Sequence, residues 1–355
     1  MARGVTPQRR RRRRYSTGIS ELDEQIAQLV ATTDLTERDA ELIAEIVTSA
    51  LLLGRDAASR LDLKIVNAAL KEMRYAFKVF APYRDAKKVS VFGSSRSKPG
   101  DPDYEQARSF GKVIAERGWM VVTGAGPGSM EAANEGAGKA QSFGVNIRLP
   151  FEAEPNPIVA EDPKLINFKY FFTRKLMFIK EGSAFVLLPG GFGTLDEAFE
   201  LLTLMQTGKS DMHPIVLLDQ PGGAFWSNLL GVVRADLVER GYVSPSDLKL
   251  FTLTDSVEKA ATEIDRFYRN YDSMRFVGNR LVLRLQRTPD DETLGALSRD
   301  FADIIVSGVI ERSDPLPAEV QDDDTLDMQR VVLHFDNASY GRLRELIDAL
   351  NEDGT

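Results

Sequence analysis

A chain of 355 residues is too long for one ordinary domain, and its hydrophobic content of 43% supports a sizeable core. It has no cysteine, which excludes disulfides and thiolate chemistry, and its two histidines, His213 and His334, adjoin or lie within strand-like apolar runs, so we expect no histidine-based zinc site or catalytic triad. The net charge of −8 argues against a protein that coats nucleic acid.

The first region, residues 1–85, contains six consecutive arginines at residues 9–14. A run of like charge is most often a solvated tail, and contact with nucleic acid or an acidic partner is the less favoured alternative. No apolar segment follows it, so we expect no secretory signal. Because no window of about 18 uncharged apolar residues exists, we also expect no membrane span, and we predict a cytoplasmic protein.

The rest of this region is predicted to be helical. Ser20 and Thr36 precede acidic first turns, as is usual where a helix begins. Apolar residues then recur at helical spacing in two stripes. The stripes contain Ile43, Ile46, Val47, Ala50 and Leu53, and then Leu63, Ile65, Val66, Ala69, Leu70 and Met73. We interpret them as packing surface that covers the central domain or a partner subunit.

Residues 86–271 alternate apolar runs with helical segments. The predicted strands cover residues 89–92, 119–123, 144–149, 170–172, 183–188, 214–218 and 250–253. This alternation is typical of a Rossmann-like α/β domain, in which a doubly wound parallel sheet carries helices on both faces. In such sheets, ligands bind at the carboxyl ends of the strands.

Three glycine turns follow predicted strands and are therefore expected at that edge. They contain Gly93, Ser94 and Ser95; Gly124, Gly126 and Gly128; and Gly190, Gly191 and Gly193. Glycine lets the backbone approach an anion, and a helix N-terminus favours negative charge. Three such turns at one edge predict a crevice for a nucleotide or sugar phosphate. The longer turns match neither G-x-G-x-x-G nor a P-loop, which argues against a standard dinucleotide site and a P-loop NTPase.

The third turn belongs to the most informative stretch, Pro-Gly-Gly-Phe-Gly-Thr-Leu-Asp-Glu at residues 189–197. Thr194 adds a hydroxyl donor. Glu197 is predicted to lie in the first helical turn, where its carboxylate would repel a bound phosphate. Acid–base or cation-stabilising chemistry on a sugar phosphate explains such a carboxylate. The alternative, that Glu197 only complements the helix dipole, stays open.

Residues 272–355 are predicted to form strand, helix, strand, strand and helix. Leu281, Leu283 and Leu285 alternate as in a strand, and residues 331–335 form the clearest late strand. The region contains no glycine turn. We therefore predict a small α/β appendage that serves assembly or regulation.

The stretch at residues 189–197 resembles the PGGxGTxxE signature of the Lonely Guy family. That family comprises cytokinin riboside 5′-monophosphate phosphoribohydrolases and bacterial nucleoside-monophosphate nucleosidases. It also carries an upstream Arg-Lys pair, and Arg174, Lys175 and Met177 stand in that place. The resemblance covers roughly residues 86–271. Residues 126–134, 149–152 and 155–157 are more similar to the longer bacterial members.

The resemblance implies hydrolysis of the N-glycosidic bond of a nucleoside 5′-monophosphate, without metal or cofactor. It implies Glu197 and Arg174 as catalytic residues. Arg174 stays protonated and would bind the phosphate or orient Glu197. The alternative is that Arg174 forms only a surface ion pair. The remaining positions assigned to substrate are Gly93, Ser94, Ser95, Gly124, Gly126, Gly128, Met130, Glu131, Asn134, Lys175, Met177, Pro189, Gly190, Gly191, Gly193 and Thr194. Glu131 and Asn134 are equally well explained as helix surface residues.

Other classes of protein stay open at this point. A non-catalytic nucleotide or cofactor carrier on the same scaffold would not need the carboxylate of Glu197. A nucleic-acid-associated regulator would use the arginine run, which the net acidity disfavours. Lysine decarboxylation, a name often attached to the family, is rejected because nothing suggests a pyridoxal-phosphate site. We expect a homo-oligomer and a nucleoside monophosphate as partners, with the preferred base undetermined.

Overall fold

The computed structural model describes residues 15–148 and 154–352. The arginines at residues 9–14 and the motif at residues 149–152 lie outside these ranges. The chain divides into two compact units, one up to Lys71 and one from Glu72 onward. Within the described ranges, no helix combines the length and apolar character needed to cross a membrane.

The first unit is helical. Its helices are α1 (Ser20–Val30), α2 (Glu37–Arg55) and the first part of α3 (Arg60–Phe80). Thr36 precedes α2 as predicted, and its hydroxyl accepts a hydrogen bond from the Asp39 amide. Ile43 and Ile46 are exposed on α2, so part of the predicted apolar stripe faces outward within this chain.

The second unit is built on a seven-stranded parallel sheet. Its strands are β1 (Lys88–Phe92), β2 (Met120–Thr123), β3 (Ser142–Ile147), β4 (Leu165–Phe168), β5 (Ala184–Leu187), β6 (Ile215–Leu218) and β7 (Phe251–Thr254). They pair in the order β4-β3-β2-β1-β5-β6-β7, and all pairs are parallel. The doubly wound α/β fold is therefore confirmed.

Helices cover both faces of this sheet. They are α4 (Pro102–Glu116), α5 (Ser129–Ala137), α6 (Phe171–Glu181), α7 (Phe192–Gln206), α8 (Phe225–Val232) and α9 (Val257–Phe267). All five residues of β1 are buried. Val89 and Val91 belong to one hydrophobic cluster and Phe92 to another, because successive strand residues point to opposite faces.

The prediction of a strand at residues 170–172 is wrong, because the strand is β4 and Phe171 begins α6. Aromatic residues favour strands only where the sheet buries them, and Phe171 and Phe172 are exposed. Glu72 on α3 supports the helical start instead. Its carboxylate accepts hydrogen bonds from the Lys169 amide at 2.9 Å and the Thr173 hydroxyl at 2.7 Å.

The C-terminal region forms a four-stranded antiparallel sheet in the order β10-β11-β9-β8. Its elements are β8 (Tyr271–Val277), β9 (Arg280–Leu285), α10 (Asp291–Asp300), β10 (Ile305–Arg312), α11 (Pro317–Asp322), β11 (Gln329–Phe335) and α12 (Tyr340–Glu352). The α/β character is confirmed, but the predicted element order is wrong: it omitted β8 and α11. An irregular register near Tyr271 breaks the alternation that would have marked β8.

A buried charge cluster joins α11 to this sheet. Glu319 is 0% exposed and lies 2.8 Å from Arg284 on β9 and 2.7 Å from Arg330 on β11. Burial alone would raise the pKa of Glu319. The Leu316 amide and the two guanidinium groups outweigh burial and hold that pKa below its usual value. The cluster therefore depends on the ionised carboxylate.

Glu319→Gln should lower the free energy of unfolding at neutral pH by about 3–5 kcal/mol, because Arg284 and Arg330 both lose a buried counter-charge, although Arg284 keeps its ion pair with Asp324. Since the pKa of Glu319 is lowered in the folded state, its contribution is present above about pH 4.5 and is lost as the pH falls. Urea unfolding at neutral and acidic pH measures both effects. Glu311→Gln, at an exposed position of β10, is the control; equal losses in the two variants would contradict the prediction.

Candidate active site

The strands β1 and β5 are neighbours at the centre of the sheet, and the chain leaves them in opposite directions. From β1 it proceeds outward to β2, β3 and β4, and from β5 it proceeds to β6 and β7 on the other side. Such a topological switch point opens a crevice at the carboxyl ends of the strands. Gly93 follows β1 and Pro189 follows β5, so two glycine turns flank this crevice.

Backbone hydrogen bonds connect all three glycine turns. The Ser94 amide donates to the Pro189 carbonyl at 3.1 Å, and the Ser129 amide donates to the Ser94 carbonyl at 2.9 Å. Gly128, with φ of +73°, lies against the backbone of Ser94 and Ser95, where any side chain would collide. The turns that the sequence predicts at one edge are therefore in direct contact.

A buried polar network supports the turn at residues 124–128. Ala125 has a φ of +61°, which is unusual for a residue with a side chain. Its amide donates to the Thr123 hydroxyl at 3.1 Å, and its carbonyl accepts from the Asn156 amide at 2.8 Å. The Asn156 side chain donates to the Gly126 carbonyl and to Asn134 Oδ1. These bonds hold the backbone in a conformation that Ala125 alone would disfavour.

Arg174 extends from α6 toward this turn. Its Nε donates to the Val145 carbonyl at 2.9 Å, and its guanidinium lies 5.2 Å from the ring centre of Phe178. A side chain on Gly124 would collide with the guanidinium and with Met130. Glycine at position 124 therefore makes room for Arg174 at the carboxyl end of β2.

Lys175, the next residue, faces α7. Its ammonium lies 2.8 Å from Asp196 and 2.5 Å from Glu200. Burial alone would lower the pKa of Lys175, but these two carboxylates outweigh burial and raise it. The ion pairs join α6 to α7 and so fix the distance between Arg174 and the residues of α7.

Glu197 lies on α7 and is 7% exposed. Because α7 begins at Phe192, with Gly191 as its N-cap, Glu197 is in the second turn, and its predicted place in the first turn is wrong. The backbone bond from the Leu195 amide to the Gly191 carbonyl shows this earlier start. The helix dipole acts mainly within the first turn, so complementing it explains Glu197 less well at this position.

Burial raises the pKa of the Glu197 carboxyl to about 7. The positive charges of Lys175 and Arg174 oppose this shift, whereas Glu200 and Asp196 add to it. A buried carboxyl that is half ionised near neutral pH can accept or donate a proton under ordinary conditions.

Several predicted substrate positions differ in accessibility. Gly191 and Gly193 are exposed, Gly190 and Glu131 are half-buried, and Thr194 is buried. Met177 is fully buried within the hydrophobic core, and Asn134 is buried beneath the turn that it supports. Substrate contact by these residues stays a prediction. Among residues 15–148 and 154–352, no group of three or more His, Asp or Glu side chains could hold a metal ion.

Sequence reasoning missed several supporting residues. Glu72 lies 97 residues before its partner Lys169, and no local motif marks it. The sequence marks Asn156 only through the family resemblance of residues 155–157, although its hydrogen bonds hold the turn at residues 124–128. The signal in the sequence is a polar residue between two prolines. In the structure Asn156 is 4% exposed, and a buried polar side chain of this kind is usually hydrogen-bonded.

The family whose model matches residues 130–264 is described as "Possible lysine decarboxylase". A cytokinin riboside 5′-monophosphate phosphoribohydrolase from Mycobacterium tuberculosis is 34% identical over 164 residues, which cover 44% of this chain and 82% of that relative. The chain belongs to the Lonely Guy family. The Lonely Guy resemblance inferred from residues 189–197 is thus confirmed.

Two further proteins are more distantly similar to this chain. The pyrimidine/purine nucleotide 5′-monophosphate nucleosidase of Escherichia coli K12 is 32% identical over 124 residues, or 32% of this Lonely Guy chain and 27% of that enzyme. Among solved structures, the molybdenum cofactor binding protein of Rippkaea orientalis aligns with 51% of this chain and 96% of its own, at 22% identity and a TM-score of 0.37. No conclusion about the function of this chain is drawn from a TM-score this low.

Asn156→Ala should lower the free energy of unfolding by about 1–3 kcal/mol, because the Gly126 carbonyl loses the Asn156 donor and Asn134 Oδ1 keeps only the Thr123 hydroxyl of its two side-chain donors. Asn156→Asp should cost at least as much despite its similar shape, since it places an oxygen against those two oxygens. Chemical unfolding measures both, with Asn228→Ala on the exposed side of α8 as the control. A tolerated Asp at position 156 would show that the donor is not needed.

Proposed function

We propose that this protein hydrolyses the N-glycosidic bond of nucleoside 5′-monophosphates and releases the free base and ribose 5-phosphate. The observation that carries the proposal is Glu197, a buried carboxyl with a pKa of about 7 beside Arg174 and Lys175. It lies on the helix that follows the glycine turn of the central crevice. The names of the related enzymes support the same reaction class.

The glycine turns supply the proposed phosphate site. The N-cap of α7 is Gly191, and no side chain caps this helix start. Backbone amides at such an end bind anions well, and the helix dipole adds to the attraction. Thr194 is the hydroxyl donor nearest this end in sequence. We assign the 5′-phosphate to the turn of Gly190, Gly191 and Gly193, and the ribose to the side facing Glu197.

The chemistry follows from the charge that develops on the sugar. Cleavage of an N-glycosidic bond builds positive charge on the ribose ring, as in other glycoside hydrolyses. The Glu197 carboxylate stabilises this charge and accepts a proton from the attacking water. Arg174 cannot accept a proton, so we assign it to orienting Glu197 or binding the phosphate.

Base release from a panel of nucleoside 5′-monophosphates and their nucleosides tests the proposal. We expect at least one monophosphate to be cleaved with a kcat/KM about 10²-fold or more above its nucleoside, because phosphate binding energy is used at the reacting bond. Comparable turnover of AMP and adenosine would contradict a phosphate-anchored site. Tight binding of monophosphates with no base release would instead favour a non-catalytic carrier.

Glu197→Gln should reduce kcat by about 10²-fold or more, because the variant keeps the shape of the side chain but loses its charge. In the wild type, kcat/KM should fall as the pH drops below about 7, and this limb should be missing from any residual activity of the variant. A near-wild-type rate in the variant would remove Glu197 from the mechanism.

The same variant has a stability readout. Since the pKa of Glu197 is raised from 4.5 to about 7, the folded state loses stability as the pH rises through that interval. Glu197→Gln should therefore be more stable than wild type at pH 8, by about 3 kcal/mol at most, and similar to it at pH 4. Urea unfolding at the two pH values measures this difference and separates lost chemistry from lost folding.

Arg174→Lys should lower kcat and kcat/KM together, although the charge is kept. A guanidinium offers a flat fork of donors, so Arg174 can bond the Val145 carbonyl and still present N–H groups to the site, whereas an ammonium is a point charge. Steady-state kinetics measure the effect. Lys180→Arg, at an exposed position of α6, is the control; unchanged kinetics of Arg174→Lys would remove Arg174 from the site.

The second unit is also proposed to assemble at least as a homodimer. Phe171, Phe172 and Leu176 on α6 and Phe199 on α7 are exposed, and Phe192 is 93% exposed. Adjacent exposed apolar side chains usually mark an interface. Light scattering at micromolar concentration should show a dimer or larger species. Phe172→Asp should shift it toward monomer, whereas Val306→Asp on β10 should not; a monomeric wild type would contradict the proposal.

A further inference from the structure

A cavity of about 130 Å³ lies against α7 and α8 and beside the end strand β7. Thirteen of its sixteen lining residues are apolar, and the exceptions are Thr203, Gln206 and Asp247. None of the glycine turns and neither Arg174 nor Glu197 lines it. The cavity is therefore separate from the site proposed above, and the argument for it does not depend on the proposed function.

Trp226 lines this cavity and is 1% exposed. Its Nε1 is buried and has no hydrogen-bond acceptor among residues 15–148 and 154–352. A buried indole N–H usually has a hydrogen-bond partner, and leaving such a donor unsatisfied is unfavourable. Among the side chains that line the cavity, Trp226 Nε1 is thus the buried donor that lacks an acceptor within the described residues.

The polar side chains of the wall already have hydrogen-bond partners: Thr203 donates to the Phe199 carbonyl, and Gln206 and Asp247 bond each other. Gln206 Nε2 donates to Asp247 Oδ2 at 2.6 Å, and the Ser244 amide donates to the same carboxylate oxygen at 3.0 Å. An anionic ligand would meet the Asp247 carboxylate, and a charged group of either sign would lose its hydration in a mainly apolar wall. The lining therefore favours an uncharged ligand.

One wall has an unusual backbone. Val233 and Leu237 line the cavity and belong to the π-helix Val233–Val238, which continues α8. π-Helical segments are rare and occur frequently at functional sites. The aromatic rings of Trp226, Phe199 and Phe251 provide flat apolar walls. A cavity of about 150 Å³ lined by aliphatic and aromatic side chains binds benzene, so this volume suits one aromatic molecule.

We propose that this cavity binds an uncharged aromatic molecule of about six to ten non-hydrogen atoms that presents one hydrogen-bond acceptor to Trp226 Nε1. Apolar contact with the walls supplies most of the affinity, and the acceptor supplies the selectivity. Ala198, the residue after Glu197, lines the cavity, so a bound ligand would contact the helix that carries the proposed catalytic carboxylate.

Quinoline and naphthalene form a matched pair of probes, since they share size and shape and only quinoline has an acceptor. Calorimetric titration of the full chain at pH 7.5 should show that both bind, with quinoline about tenfold tighter, as one hydrogen bond predicts. The protein has two tryptophans. In a ¹⁵N-labelled sample, quinoline should move the Trp226 indole signal, which Trp119→Phe identifies by leaving it as the only one.

Two variants separate the donor from the cavity. Trp226→Phe should bind both probes with equal affinity, because the donor is lost while most of the apolar wall remains. Val243→Phe should fill the space and abolish binding of both probes. If Trp226→Phe fails to fold, the shift of the Trp226 indole signal in the wild type and the probe titration of Val243→Phe still test the proposal. Absence of binding at millimolar probe, or an unchanged Trp226 signal at saturation, would overturn the proposal.

Discussion

Parallel pairing between β1 and β5 is the constraint on which the site depends. Val89 pairs with Ala184 and Phe92 with Leu187, so both strands end at the same level of the sheet. Their helices leave to opposite sides, and no crossover covers the space above this pair. The turns after the two strands must therefore meet each other, and the hydrogen bond from the Ser94 amide to the Pro189 carbonyl is the result.

The charges around this crevice are divided between two tasks. Lys175 is engaged by Asp196 and Glu200 and so fixes α7 against α6. Arg174 donates a hydrogen bond to the Val145 carbonyl, which orients its guanidinium. Glu197 is the buried carboxyl left between these groups, and its pKa reflects a balance of burial against neighbouring charge. Proteins accept such a cost in stability mainly where a reaction requires it.

The sequence predicted what is set by local pattern. Alternating apolar runs and helices indicated the doubly wound sheet, and glycines placed after strands indicated its functional edge. The prediction failed where packing decides: three aromatic residues at 170–172 favour a strand, yet the carboxylate of Glu72 stabilises a helix there. Glu197 was placed one turn too early because Phe192 and Gly193 are poor markers of a helix start. The roles of Asn134 and Asn156 depend on contacts that no spacing rule encodes.

Two hydrogen bonds connect Glu72 on α3 to the start of α6. They bear on which part of the chain is needed to hold the site. The family match starts at residue 130, and the first strand of the sheet starts at Lys88. A fragment cut at either position would keep every residue of the signature, yet it would remove the carboxylate that accepts hydrogen bonds from the Thr173 hydroxyl and the Lys169 amide. The start of α6 is therefore held by a side chain that lies before both the first strand of the sheet and the start of the family-model match.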